Sequence, residues 1–277
     1  MKCTARDERI LVRKSLANRR MTSSQLAGSV SSSISARTAR RILLKYGLRG
    51  CIAAKKPLLT SKNRKARFQW AKRFRHWTAS RWRKVLFSDE SSFELFPSKF
   101  RIHIRRKIGE KYLDSCLQPT VKHGGGSIMV WGCIAYYGAG LLKECQGHIK
   151  AADYLSIIKS TMQELVEHIQ FPDNKFIFQH DNAPVHTAKI VKTWLYKQNY
   201  PILPWPAQSP DMSPIETCWN DIKRKLQNAR PSNKAELLRI IQDTWNGMGS
   251  DYFHKLIDSM PKRVNALYLA KGGHTKW

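Results

Sequence analysis

Acidic residues are scarce in this sequence: 277 residues hold 20 Asp and Glu against 49 Lys and Arg, a formal charge of +29. A surplus of that size needs a polyanionic partner more than an acidic pocket or a neutral surface. Long apolar runs are missing too. None approaches the ~20 residues of a membrane helix, and the opening MKCTARDERI is charged too early for a secretory signal. A membrane partner is not expected. Cysteine is sparse, and Cys3, Cys51, Cys116, Cys133, Cys145 and Cys218 include no CxxC pair. Reduced thiols in a cytosolic or nuclear protein fit that pattern better than a disulfide framework. Repeats and low-complexity tracts are absent, and a hydrophobic content of 42% suits a folded chain.

What is present is unevenly spread. Residues 1–84 carry 24 Lys and Arg and only two acids, Asp7 and Glu8. The basic residues lie on several predicted helices, so they do not form one amphipathic membrane anchor, and nucleic acid is the better partner. Residues 4–18 place Ile10, Leu11 and Leu16 near one helical face. Thr22 is a candidate N-cap for a brief helix over SSQLAGS, and Ser35 for a third helix that Gly47 ends. Two short helices around a tight turn, the second bearing Arg37, Arg40 and Arg41, match a helix-turn-helix reader of DNA. An ordinary three-helix bundle with a solvated basic face has the same pattern, and the charge asymmetry favours the reader. Lys45 on that helix and Lys55 and Lys56 just after it are further candidate DNA contacts.

Residues 50–60 read as a linker, giving a division into 1–50, a basic linker and helix over 51–81, and a second domain over 82–277. The basic helix interleaves Phe68, Trp70, Phe74 and Trp77. Such aromatics stack on bases in some proteins, but at helical spacing packing is the expected role. The same Lys/Arg run suits a nuclear import signal. From residue 82 the texture is β-rich: an apolar strand over Val85 to Phe87, a polar break, a second strand, then RIHIRR and GSIMVWGCIAYYG. A helix over 151–169, a strand KFIFQHD, a helix AKIVKTWLYKQ, a short strand YPILPW and a helix SPIETCWNDIKRKLQNA follow. Helices near 233–247 and 251–270 close the chain. Strands first and then β-α-β-α describe an α/β mixed sheet covered by helices, after a small all-α domain.

In so basic a chain the placement of acids is informative. Asp89 and Asp181 each lie just past an apolar strand, and Glu216 lies in the first turn of a helix after a proline-rich loop. Acids at strand ends are placed to share a cleft at one sheet edge. Three carboxylates brought together repel one another unless cations intervene, and oxygen-only ligands suit Mg²⁺ or Mn²⁺ rather than zinc. Two such ions are able to activate a water or 3′-hydroxyl and to stabilise the leaving oxygen of a phosphodiester. Each acid also has a plain structural reading. Asp89 suits a turn after its strand, and Asp181 with Asn182 an Asx turn. Ser213, Pro214 and Glu216 fit N-cap, N1 and N3 of a capping box. His123, His180 and His186 lack metal-ligand spacing and read as supporting or surface residues, and glycines 124–126 as a tight strand connection.

Five blocks settle the choice: LFSDESSFELF, VKHGGGSIMVWGC, FQHDNAPVHTAK, WPAQSPDMSPIETCWNDIKRKL and SMPKRVNALYLAKGG. The chain resembles the Tc/mariner superfamily of DNA transposases from about residue 4 to its end. The resemblance implies a ribonuclease-H-like fold and an Asp-Asp-Glu triad matching Asp89, Asp181 and Glu216. The 34 residues between Asp181 and Glu216 are the spacing of the Tc branch. It further implies two-metal, Mg²⁺-dependent cleavage at transposon terminal repeats and 3′-hydroxyl attack on a TA target, with no covalent enzyme intermediate. A segment around 105–126 resembles the family's loop toward a partner subunit, implying at least a dimer on DNA in the nucleus. Family members carry two helix-turn-helix units joined by a Gly-Arg-Pro-Arg-type motif; only the second is found here, so weakened recognition of transposon ends is expected. The competing readings are a defective or domesticated remnant acting as a DNA-binding protein, and a ribonuclease H or integrase. The latter is disfavoured because no His/His/Cys/Cys module precedes the core.

Overall fold

The computed structural model describes residues 3–54, 56–96, 105, 107–113, 116–117, 125–147, 149–169, 171–172, 175–229 and 231–277. Lys55, His123, Gly124, most of RIHIRR and much of the 105–126 segment lie outside the described residues. The chain divides into two compact units, Met1–Lys56 and Pro57–Trp277. No helix among the described residues is long and apolar enough to cross a membrane.

The first unit is a trio of helices, α1 (Ala5–Ala17), α2 (Ser23–Ala27) and α3 (Ala36–Lys45). Each starts at a hydroxyl cap: Thr4 accepts from the Asp7 amide, Thr22 from the Gln25 amide and Ser35 from the Thr38 amide. These caps satisfy orphan amides that helices this short cannot leave open. Leu11, Leu26, Ala39, Ile42 and Leu43 close the core. Gly47, at φ 74°, supplies the left-handed turn that ends α3 and lets the Leu48 amide reach the Leu43 carbonyl. Asp7 is buried and ties the helices together, accepting from the hydroxyls of Thr4, Ser31 and Ser32. The Ser32 and Thr4 hydrogen bonds pull its carboxyl down to about 2.

The second unit begins with α4 (Ser61–Phe74) and α5 (Ala79–Trp82), so the basic helix belongs to this unit's core and not to a linker. Trp70 and Phe74 are buried, Trp70 meets Trp205 edge-on at 5.0 Å, and Phe68 stacks on Tyr268 at 5.4 Å. Packing is what the aromatics of this helix do.

The sheet is mixed. Strands β1 (Val85–Glu94), β2 (Ser127–Ala135), β3 (Gly138–Ala139), β4 (Lys143–Cys145) and β5 (Ile177–Gln179) take the order β3-β2-β1-β5, with β4 also on β2. β1 pairs antiparallel with β2 and parallel with β5. Side chains alternate across it. Val85, Phe87 and Phe93 enter one core with α4, α8 (Ile215–Ala229), α9 (Lys234–Asn246), α10 (Ser250–Asp258) and α11 (Met260–Leu269). Leu86, Trp131 and Cys133 enter a second core with α6 (Ala151–His168) and α7 (Lys189–Lys197). Helices thus cover both faces of a mixed sheet, the expected architecture.

Three expectations need correction. There is no polar break in 82–96: β1 runs unbroken through Ser88, Asp89, Glu90 and Ser91, whose backbones pair with Cys133 to Val130. The helix expected over 251–270 is two, because Pro261 forces a new start and Ser259 separates α10 from α11. YPILPW contributes one bridge, Ile202 to Phe178, rather than a strand.

Candidate active site

Asp89 lies inside β1, directly across from Gly132 of β2. That glycine has a steric reason: a Cβ there would stand 2.9 Å from Trp219 and 3.0 Å from Trp245. The bare backbone lets the two indoles stack at 5.0 Å, and Trp219 then donates from Nε1 to Asp89 Oδ2 at 3.3 Å. Asp181 lies two residues past β5, where the chain leaves the sheet. Its Oδ1 accepts from the Ala183 amide at 2.8 Å, so the expected Asx turn does form. Glu216 enters from the first turn of α8. The capping-box reading of Glu216 fails, because the Ser213 hydroxyl is buried with no hydrogen-bond partner among the described residues. The Glu216 carboxylate is not spent on a helix start.

All three carboxylates line one cavity of about 290 Å³, walled by the Trp205–Pro210 loop and floored by Ser88, Gln179 and Ser213. Gln179 and Ser213 line this cavity, and among the described residues Gln179 Oε1 and the Ser213 hydroxyl are buried without hydrogen-bond partners. Asn182 closes one side by donating to the Trp205 carbonyl at 2.6 Å. Burial, then the charges of Glu216 and Glu90, push Asp89 well above the usual carboxylate range. Burial also raises Glu216. Asp181 is lowered: burial opposes ionisation, but hydrogen bonds from His186 and the Ala183 amide outweigh it.

The spacing of His186 suggests a supporting or surface role; the structure buries it in a network that joins Asp181 to Glu90. Its Nδ1 stands 2.6 Å from Asp181 Oδ1 and its Nε2 3.1 Å from Glu90 Oε1. Burial disfavours the charged ring, yet the two carboxylates raise His186 to about 9, so it is an imidazolium at neutral pH. His180 shows the opposite sign: burial and the neighbouring His186 charge lower it to about 4. The Tyr154 ring packs 4.0 Å from His186 and its hydroxyl meets His180 Nδ1 at 3.2 Å. Asp89 and Glu90, adjacent in β1, point to opposite sheet faces, Asp89 to Trp219 and Glu90 to His186. The only sequence signal for this network is the five-residue step from Asp181 to His186; Glu90 is 96 residues from its partner.

The donor set suits a hard cation. Three carboxylate-bearing residues line one cavity, and the burial and neighbouring carboxylates that hold Asp89 up are conditions that a divalent ion relieves. Among the described residues, no three His, Cys, Asp or Glu side chains form a closed ligand cluster. Mg²⁺ does not require one, since it commonly takes one or two carboxylates and completes its shell with water and substrate phosphate.

In the first unit Arg37, Arg40 and Arg41 are exposed on α3, opposite buried Ala39, Ile42 and Leu43. Lys45 is exposed as well but is drawn to Glu8 of α1 at 3.1 Å, where the Tyr46 hydroxyl also donates. Lys56 is exposed.

Two family models cover most of the chain: one of the Tc3 helix-turn-helix type, described as "Transposase", over residues 8–76, and one described as "DDE superfamily endonuclease" over residues 84–239. The chain is 40% identical over 243 residues to the Tc1 transposase of Caenorhabditis elegans, covering 88% of each. It is 38% identical over 274 residues to the Tcb1 transposase of Caenorhabditis briggsae, covering 98% of this chain and 100% of Tcb1. Its fold matches a Mos1 transposase paired-end complex with the left transposon end at TM-score 0.83 and 18% identity, over 99% of this chain and 80% of that one. A Mos1 paired-end complex with Mn matches at TM-score 0.80, again at 18% identity, over 100% and 81% of the two chains.

Proposed function

The chain belongs to the Tc1-type transposases of the DDE endonuclease superfamily, and on that premise we propose that Asp89, Asp181 and Glu216 form its catalytic centre for cut-and-paste transposition. The reaction is metal-dependent cleavage at transposon ends and strand transfer into a TA target. The observation that carries this reading is that Asp89, Asp181 and Glu216 all line one cavity. Two divalent ions, Mg²⁺ or Mn²⁺, supply an activated water or 3′-hydroxyl and stabilise the leaving oxygen of the phosphodiester when bound. Asp89, Asp181 and Glu216 would hold them. Trp219 fixes Asp89 from one side, and His186 holds Asp181 Oδ1, so that Oδ2 is the oxygen without a hydrogen bond among the described residues.

The first unit, Met1–Lys56, acts as the DNA reader, with Arg37, Arg40 and Arg41 as the leading contacts, and the second, Pro57–Trp277, as the catalytic unit. Lys45, Lys55 and Lys56 are lesser contacts, Lys45 because Glu8 competes for it. The partner is double-stranded DNA carrying the terminal repeats, bound by two or more copies of the chain in the nucleus.

The test is cleavage of a labelled terminal-repeat duplex with Mg²⁺, Mn²⁺ or EDTA, using the wild type and Glu216→Gln. Metal-dependent nicking that disappears in the variant is expected. Salt-sensitive binding without nicking by the wild type would leave a DNA-binding remnant instead.

A second prediction concerns Glu90→Gln. This change takes the counter-charge from His186 Nε2 while leaving Asp181 in place. Such supporting partners are worth roughly 10- to 100-fold in metal affinity or activity. Single-turnover nicking and calorimetric Mn²⁺ affinity should fall together, with duplex affinity unchanged; equal rates for variant and wild type would reduce Glu90 to packing.

A further inference from the structure

Two stretches of the chain, residues 57–88 and 259–277, contain no acid at all. The fold lays them against each other. Gly272 is seated so tightly on α4 that an added Cβ would stand 2.0 Å from the Arg64 carbonyl oxygen. Arg64 Nε donates to the Lys271 carbonyl at 3.3 Å, and Arg67 Nε to the Gly272 carbonyl at 3.0 Å. Lys62 and Lys65 of α4, and Lys271 and Lys276 of the segment bound to it, are exposed. Among the described residues none of the four meets a carboxylate in an ion pair. Asp211, the acid that reaches this region, is buried and bound by Arg67 and Thr275. The first turn of α4 has no acid either, although a helix start favours negative charge.

The surface starts at the rim of the carboxylate cavity. Asn63 of α4 donates to Gln208 Oε1 at 2.8 Å, and Gln208 lines that cavity. From there α4 runs for 14 residues, about 20 Å at the helical rise. Lys72 and Arg73 are exposed toward its far end. A duplex presents a phosphate charge about every 1.7 Å along its axis, so this span matches about six base pairs of backbone. We infer that the exposed face of α4, with Lys271 and Lys276, is a phosphate rail that holds double-stranded DNA beside the phosphodiester in the cavity. This deepens the transposase reading and rests on it. The rail contacts backbone only, so it adds affinity and alignment without base preference.

The experiment is a salt titration of terminal-repeat duplex binding by three full-length proteins. They are wild type, a triple variant Lys62→Gln, Lys65→Gln, Lys276→Gln, and a control triple on exposed α7 positions, Lys189→Gln, Lys192→Gln, Lys197→Gln. Each phosphate contact contributes about 0.9 to the slope of log K against log salt. The rail triple should flatten the slope by about 3 and the α7 triple by less than about 1, with thermal midpoints unchanged. Equal slopes for wild type and rail triple, or an equal flattening by the α7 triple, would overturn the rail. Asp89→Asn is titrated and assayed for cleavage in parallel. It should keep the wild-type slope while losing cleavage, so a failure of the active-site reading shows in cleavage and a failure of the rail shows in the slope.

Discussion

Asp89→Asn is expected to abolish nicking and, in EDTA, to raise the thermal midpoint of the protein. The two effects share one cause. Asp89 is half-buried in mid-strand, and burial together with the charges of Glu216 and Glu90 holds its carboxyl well above the ordinary range. A carboxyl whose folded pKa is raised destabilises the fold at any pH where it would be ionised in the unfolded chain, and neutral pH lies in that window. Asparagine keeps the shape and an acceptor for Trp219 Nε1 but removes the charge. In the proposed centre its loss also removes a cation ligand, and stabilisation of transition-state charge by such ions is worth several kcal/mol, on the order of a thousandfold or more in rate. Mn²⁺ should raise the midpoint of the wild type through preferential binding to the folded state, and raise that of the variant much less. A variant that nicks normally removes Asp89 from the centre. One that nicks poorly and melts lower in EDTA makes the carboxylate a structural hub instead.

The same residues show where sequence reasoning was sufficient and where it was not. Caps, helix faces and the two-sided sheet were legible because they depend on neighbours within four or five positions, as at Thr22, Ser35 and Gly47. The polar run from Ser88 to Ser91 reads as a break but is strand. Its backbone is fully paired with β2, while its side chains serve the cavity on one face and His186 on the other. Local polarity contradicts a strand there because the site requires it. The capping box before α8 had the right residues at the right spacing, and only the unbonded Ser213 hydroxyl rules it out. The Asx turn at Asp181 was right and incomplete, since one oxygen makes the turn and accepts from His186 as well. Glu90, Gly132 and Trp219 carry no periodic signal: their roles arise from pairing across the sheet and from α8 reaching over it.

The largest expected stability effect lies at Arg67, a residue of the basic helix that composition alone would assign to solvent. Its side chain is fully buried, and it forms a two-pronged pair with Asp211 at 2.8 Å on each prong. The rest of the guanidinium donates to the carbonyls of Gln208, Gly272 and Gly273 and to the Ser209 hydroxyl. One side chain therefore joins α4, the C-terminal segment and the loop that walls the cavity. Removing one partner of a buried pair leaves an uncompensated charge, at a cost of about 3–5 kcal/mol. Arg67→Met should lower the unfolding free energy obtained from urea titration by that amount, a large share of the ~5–15 kcal/mol that holds a domain together. Arg67→Met with Asp211→Leu should recover most of the loss, because a buried pair replaced by apolar groups is often close to neutral. The pH dependence follows from the sign of the Asp211 shift. Burial opposes its ionisation, but Arg67 wins and holds the carboxyl below its ordinary value. Its contribution is therefore present above the unfolded carboxylate range, near 3.9, and is lost as pH falls below it. In Arg67→Met the stranded carboxyl shifts upward instead, so the variant gains on the wild type as pH falls from 7 toward 4. A loss below about 1 kcal/mol, the size of a surface pair, would mean that α4 is held by its aromatics alone, and that the cavity wall does not depend on this charge.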